Sequence, residues 1–138
     1  MIIDTLIDKI KEFDNPTVVG IDTSFDYLPE EMRAGVKDFK GAADSIIAFN
    51  KEIIDSICDI VPCVKVQIAY YEMYGLDGMR AFLETLRYAA KRGLLVMTDA
   101  KRNDIGATAE CYAKAYLGET AVGECNDTAF DSDFLTVN

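Results

Sequence analysis

Histidine is absent from the 138 residues. Ser–His–Asp triads and H-E-x-x-H zinc sites are therefore excluded from this chain. Paired cysteine motifs are missing too. Cys58, Cys63, Cys111 and Cys125 form no C-x-x-C pair, and this usage predicts reduced thiols in a cytoplasmic protein. No apolar run is long enough to span a bilayer, and the start lacks the charged-then-apolar layout of a signal peptide. Positive charge is the scarcer sign: 14 lysines and arginines stand against 24 acids, a net charge of −10. Such a surface repels nucleic acid and anionic membrane, so neither is an expected partner. It leaves room for a local positive site facing a small anionic substrate. Chemistry here has to rest on carboxylates and lysines.

What is present fits one globular domain over residues 1–138: half of the residues are apolar and 28% are charged. The most informative stretch is Leu94 to Thr108, LLVMTDAKRNDIGAT. An apolar run turns abruptly polar at Asp99, Lys101 and Asp104, and a helical pattern opens at Ile105-Gly106. That is the pattern of a buried parallel strand with a charged carboxyl tip, a loop and a helix N-terminus. Alternation along a strand points Asp99 and Lys101 the same way, about 7 Å apart. Asp104 follows one tight turn later, either as part of a site or as a helix cap. In α/β enzymes, catalytic groups gather at the carboxyl ends of parallel strands.

The rest of the chain repeats this grammar. Ile3, Leu6, Ile7, Ile10 and Phe13 have helical spacing, with Asp4 as a candidate cap, and this helix is expected to cover one end of a core. Thr17–Ile21 reads as a first strand ending at Asp22. A polar excursion from Thr23 to Lys40 carries a helical turn at Pro29–Met32. Residues 41–60 read as a helix with Ala43, Ile46, Ile47, Ile53, Ile54 and Ile57 as its apolar stripe. Asn50 falls within that stripe, and is expected to be a core asparagine bonded to backbone. Cys63–Ile68 is a second strand, with Lys65 and Gln67 on one face and in need of partners.

Ala69–Gly75 is aromatic and turn-like, and its tyrosines are expected to pack against the sheet end. A helix spans about Leu76 to Arg92, with Met79, Phe82, Leu83, Leu86 and Ala90 on one face and Gly93 as its stop. Another helix spans about Gly106 to Leu117. Glu119–Ser132 is polar and reads as a hairpin or loop, and Asp133–Asn138 reads as a fourth strand. Regular alternation of strands and helices implies parallel strands with right-handed crossovers. No glycine-rich phosphate loop follows the first strand, so a dinucleotide-binding sheet has little support. Polar tips on four strands suit a (β/α)8 TIM barrel, but four strands do not close one. The expected fold is α/β, with this chain as the N-terminal half of a single barrel domain, strands one to four, and no second domain.

With the strand tips placed, the sequence resembles the orotidine 5′-phosphate decarboxylase family, whose members convert orotidine monophosphate to UMP in pyrimidine biosynthesis. Asp99-Ala100-Lys101-Arg102-Asn103-Asp104-Ile105-Gly106-Ala107-Thr108 looks like the family's D-x-K-x-x-D-I-x-x-T signature. Gly20-Ile21-Asp22, Val64-Lys65-Val66-Gln67, the run through Tyr71-Glu72, and Phe134-Leu135-Thr136-Val137-Asn138 are similar in order, and the Lys65-x-Gln67 and Ala100-Lys101-Arg102-Asn103-Asp104 wording resembles the longer bacterial branch.

The resemblance implies a residue-by-residue assignment. Lys101 would protonate C6 of the pyrimidine as carbon dioxide leaves. Asp99 would sit against the substrate carboxylate, and Lys65 would bond the ribose and hold Asp99. Asp104 and Thr108 would reach the site of the other subunit in a homodimer. Asp22 would bond the ribose hydroxyls, and Asn138 would line the barrel mouth. No cofactor and no metal are implied. The family's phosphate-gripping loop and phosphate-binding arginine lie beyond the matched half, so the 138 residues alone are expected to be inactive.

Elementary chemistry agrees with that assignment. Cofactor-free decarboxylation leaves a carbanion that the ring delocalises poorly, and a fixed ammonium aimed at that carbon favours the transition state over the ground state. An alternating array of aspartates and lysines keeps each buried charge paired. Two other readings fit parts of the pattern. One is a metal-dependent sugar-phosphate decarboxylase or lyase on the same barrel, which also uses D-x-K-x-x-D. The other is an inactive half-barrel that serves only in assembly.

Overall fold

β-branched runs and helical apolar periods alternate along the chain, and each forms an element. A computed structural model describes residues 1–138. Its helices are α1 (Ile2–Phe13), α2 (Glu30–Arg33), α3 (Phe39–Ile57), α4 (Ala69–Glu72), α5 (Gly75–Lys91) and α6 (Gly106–Leu117). Its strands are β1 (Val18–Gly20), β2 (Cys63–Gln67), β3 (Leu95–Asp99), β4 (Thr120–Val122), β5 (Cys125–Asp127) and β6 (Phe134–Leu135). The polar 119–132 segment supplies the antiparallel β4–β5 hairpin.

The other strands form one parallel sheet in the order β1-β2-β3-β6. Each new strand adds beside the last, with no reversal of order. A doubly wound sheet reverses at a switch point, whereas a (β/α) barrel advances steadily in one direction. The register places Gly20 beside Lys65 and Lys65 beside Met97, while Gln67 pairs with Asp99. All strand tips therefore emerge at one end.

Helices α3 and α5 cover one face of this sheet. The Asp38 side chain caps α3 by accepting the Gly41 N–H at 2.8 Å, so the helix begins before the expected Gly41 and ends at Ile57. Its buried stripe is Ala42, Ala43, Ile46, Ile47, Asn50 and Ile54. The buried stripe of α5 is Gly78, Ala81, Phe82, Thr85, Leu86 and Ala89. This differs from the apolar-only reading: Met79 and Leu83 are half-buried and Ala90 is exposed. At Gly78 the inward position is small because α4 lies close above. A Cβ on Gly78 would fall 1.8 Å from the Tyr71 carbonyl oxygen, so only glycine fits there. Val64, Val66 and Val96 meet these stripes from the sheet.

Helix α1 departs from expectation. Asp4 is not its cap: Met1 holds that position, and the Asp4 carboxylate accepts from the Met1 ammonium at 2.8 Å. None of its residues is buried, and Ile2, Ile3 and Ile7 remain 40–45% exposed. Its apolar stripe is real, but the described residues offer it no full covering surface.

Asn50 is fully buried, as expected, but its partners are side chains rather than backbone. Its carbonyl accepts from the Thr23 hydroxyl at 2.7 Å, and its amide donates to Tyr71 Oη at 2.9 Å and Thr85 Oγ1 at 3.0 Å. Asn50→Ala strands these partners in the core. The expected outcome is a loss of about 2–3 kcal/mol in unfolding free energy, read from denaturant midpoints at unchanged slope. A loss below about 0.5 kcal/mol would contradict the network's structural weight.

Candidate functional site

At the carboxyl end of the sheet, four charged side chains alternate in sign. Lys65, on the face of β2 away from the helices, places its ammonium 3.3 Å from Asp22 Oδ1 and 3.2 Å from Asp99 Oδ2. Lys101 places its ammonium 2.7 Å from Asp99 Oδ1. The order is Asp22 just past β1, Lys65 on β2, Asp99 at the end of β3 and Lys101 just beyond it. The cluster is neutral as a whole, with each lysine next to an acid.

Asp99 is the centre. Its side chain is only 12% exposed, whereas that of Lys101 is 57% exposed. Both carboxylate oxygens are occupied: Oδ2 accepts from Lys65, and Oδ1 accepts from Lys101 and from the Thr136 hydroxyl at 2.8 Å. Burial is the largest influence on this carboxyl and works against ionisation. The hydrogen bonds from Lys101, Thr136 and Lys65 outweigh it together and bring the group down to about 2. Burial likewise pulls on Lys65 in the downward direction, yet Asp99 and Asp22 leave it above the ordinary lysine value.

The reach of Lys101 differs from the alternating-strand picture. β3 ends at Asp99, and Lys101 lies beyond it with φ +49°, in the left-handed region. A lysine there carries about 1–2 kcal/mol of backbone strain. The turn folds the side chain back onto Asp99 instead of leaving the two side by side along a strand. Arg102 holds the next position, donating to the Ala100 carbonyl at 2.7 Å and pairing with Glu72 of α4 at 2.9 Å.

Asp22 is fixed from both flanks. The Ile21 carbonyl accepts from Tyr71 Oη at 3.3 Å, and Thr23 is bound to Asn50 at 2.7 Å. The buried asparagine network thus ends where the charge array begins. Tyr71 itself packs beneath the sheet end, as its place in the sequence suggests. Gln67 stays local, accepting the Ala69 N–H at 3.2 Å.

Asp22, Lys65, Asp99 and Lys101 are therefore brought together, and Asp104, Thr108 and Asn138 are not. The Asp104 carboxylate accepts only the N–H of its neighbour Ile105 at 2.8 Å, and it does not cap α6, whose cap position is Ile105. Within this chain the second acid of the array is Asp22. Thr108 is exposed in the first turn of α6. The Asn138 carbonyl accepts from the Asn103 amide at 3.2 Å, and the residue borders an open groove with Arg102, Tyr112 and Leu135. No three His, Cys, Asp or Glu side chains converge as a metal-ligand set. All four cysteines are free, and burial pushes the Cys63 thiol up to about 11. Thr136 is a site residue that sequence reasoning missed, although its place at the fourth strand's tip was the available signal.

A parallel sheet advancing in one direction, with a charged cluster at its carboxyl end, defines part of a (β/α)8 barrel. The family model described as "Orotidine 5'-phosphate decarboxylase / HUMPS family" matches residues 38–137, and the chain belongs to this family. Over all 138 residues it is 44% identical to the orotidine 5′-phosphate decarboxylase of Clostridium perfringens strain SM101 and 43% identical to that of Clostridium acetobutylicum. It spans 44% of the length of each. The structure of Leishmania donovani OMP decarboxylase superposes with a TM-score of 0.62 at 26% identity, covering 82% of this chain and 38% of that one.

The depressed Asp99 carboxyl fixes a pH dependence. Its folded value of about 2 lies below the ordinary 3.8, so its contribution to stability is complete above about pH 4 and disappears as pH falls toward 2. The expected loss across that window is on the order of 2 kcal/mol. In Asp99→Asn this part of the acid limb flattens. Unfolding free energies at pH 5, 4, 3 and 2.5 measure it, and parallel limbs in the two proteins would refute the assignment.

Proposed function

We propose that the protein containing this chain decarboxylates orotidine 5′-phosphate to UMP without a cofactor, within pyrimidine biosynthesis. The observation that carries this reading is the Lys101 ammonium, held 2.7 Å from a buried, ionised aspartate at a barrel's catalytic end. The names of the Clostridium relatives support the choice of substrate.

In this mechanism the bond between C6 and the carboxylate breaks, carbon dioxide leaves, and the electron pair stays on C6. Lys101 gives that carbon a proton and becomes a neutral amine, which water reprotonates. Lys101 is the outermost member of the array, so its charge is available to an incoming anion while Asp99 fixes its direction. A positioned ammonium favours the carbanion-like transition state more than the ground state. Asp99, close to the substrate carboxylate, disfavours the ground state. Lys65 and Asp22 bond the ribose. Residues 1–138 form the first half of one barrel domain. Asp104 and Thr108, which stand apart from this chain's own array, complete the site of the second subunit in a cytoplasmic homodimer. Asn138 lines the mouth.

Two measurements test the reading. Lys101→Ala is expected to lower decarboxylation, followed by ultraviolet absorbance, by at least about 10²- to 10⁴-fold. Near-normal turnover would remove Lys101 from its role. Treating the wild-type protein with a chelator is expected to leave the rate unchanged; a loss restored by magnesium would favour the sugar-phosphate chemistry instead.

The interface role has its own test. Inactive Lys101→Ala and Asp104→Ala subunits, once exchanged, are expected to regain up to about half of the wild-type rate per mixed dimer, because one of its two sites has both residues intact. No recovery despite demonstrated exchange would place Asp104 outside the partner's site.

A further inference from the structure

We infer that Thr136 is the positioning residue of Lys101, holding the lysine's backbone and its counterion with one hydroxyl. The Lys101 N–H donates to Thr136 Oγ1 at 3.1 Å, and that hydroxyl donates to Asp99 Oδ1 at 2.8 Å. Lys101 Nζ approaches the same carboxylate oxygen. A closed ring results: lysine backbone to threonine, threonine to aspartate, aspartate back to the lysine ammonium.

The backbone of Thr136 reinforces the ring. Its N–H donates to the Thr98 carbonyl at 3.0 Å, and its carbonyl accepts the Arg102 N–H at 3.2 Å. The residue thus clamps the chain on both sides of the left-handed turn at Lys101. That turn needs holding, since a lysine at φ +49° relaxes to ordinary backbone unless its surroundings forbid it. Relaxation carries the ammonium away from Asp99. A hydroxyl is the group required, because it must accept from one partner and donate to the other, and a methyl in its place does neither.

The groups facing Asp99 are Lys65 from β2, Lys101 from the loop and Thr136 beyond β6, with Asp22 beyond β1 acting through Lys65. Removing the threonine hydroxyl leaves the lysines in place but takes one donor from the carboxylate. Asp99 then holds its proton to a higher pH, and Lys101 loses its anchor.

The test compares wild type, Thr136→Val and Thr136→Ser in the purified full-length protein that contains this chain, with two readouts. The kinetic readout rests on the decarboxylase reading above: kcat and KM for orotidine 5′-phosphate across pH. The second is independent of substrate: the Asp99 carboxyl titration followed by carbon-13 NMR. For Thr136→Val, kcat is expected to fall about 10- to 100-fold with KM changed less than about threefold. The Asp99 titration moves to higher pH. Thr136→Ser restores kcat to within about threefold of wild type and returns the titration to its original position, which a purely steric role for the side chain would not require.

An unchanged titration in Thr136→Val, or a serine variant as impaired as the valine one, overturns the proposal. If the full-length wild-type protein that contains this chain does not decarboxylate this substrate, the functional reading fails and the NMR comparison decides the role of Thr136 alone. A shift reversed by serine upholds it, and no shift removes it.

Discussion

A carboxylate with little access to water has to be matched by donors, and the carboxyl end of this sheet is arranged around that requirement at Asp99. Its two oxygens accept from three side chains drawn from β2, the loop after β3 and the segment after β6. Each donor is tied to something further out. Lys65 reaches on to Asp22, Lys101 is bent back by its turn, and Thr136 is stitched to the backbone on either side of that turn. Pairing is thus a geometric constraint as well as an electrostatic one. Removing a donor leaves the buried charge under-satisfied and also frees a strand tip.

The opposite face of the sheet supports this arrangement by ordinary packing. Asn50 links α3, α4 and α5 through Tyr71 and Thr85, and it touches Thr23 just past β1. Tyr71 bonds the residue before Asp22, and Asn50 bonds the residue after it. A polar cluster in an otherwise apolar core costs desolvation unless every member is satisfied, and no buried side-chain polar atom here lacks a partner. The core therefore specifies where one end of the charge array sits.

Much of this was legible in the sequence because the signals were local. Gly106–Leu117 forms a helix with the expected bounds, since Gly106 opens it and Gly118 closes it. The strand tips at Asp22, Lys65 and Asp99 were legible because an apolar run that turns abruptly charged marks the place where a buried strand leaves the core. What escaped depended on distant parts of the chain. Gly78 lies on the inward face of α5 because α4 lies against it there, and hydrophobicity alone does not report that proximity. That α1 would cover one end of a core was inferred from its stripe, but a stripe announces a need for a partner surface without supplying one. Thr136 contributes through a hydroxyl whose two partners lie more than thirty residues earlier. Lys101 leaves the strand through a backbone angle that residue type argues against.

That backbone angle bears on how this sequence would respond to redesign. At φ +49°, glycine or asparagine is the residue the backbone geometry favours, so a procedure that scores backbone conformation alone will tend to replace Lys101. The substitution would relax the turn, but it would also take a donor from Asp99 and erase the ammonium at the sheet's open end. Residue and conformation are thus at odds at this position, and the pairing of Lys101 with Asp99 is what a backbone rule alone leaves out. The mismatch also gives a search criterion independent of sequence motifs: a left-handed lysine just past a buried aspartate at the end of a parallel strand.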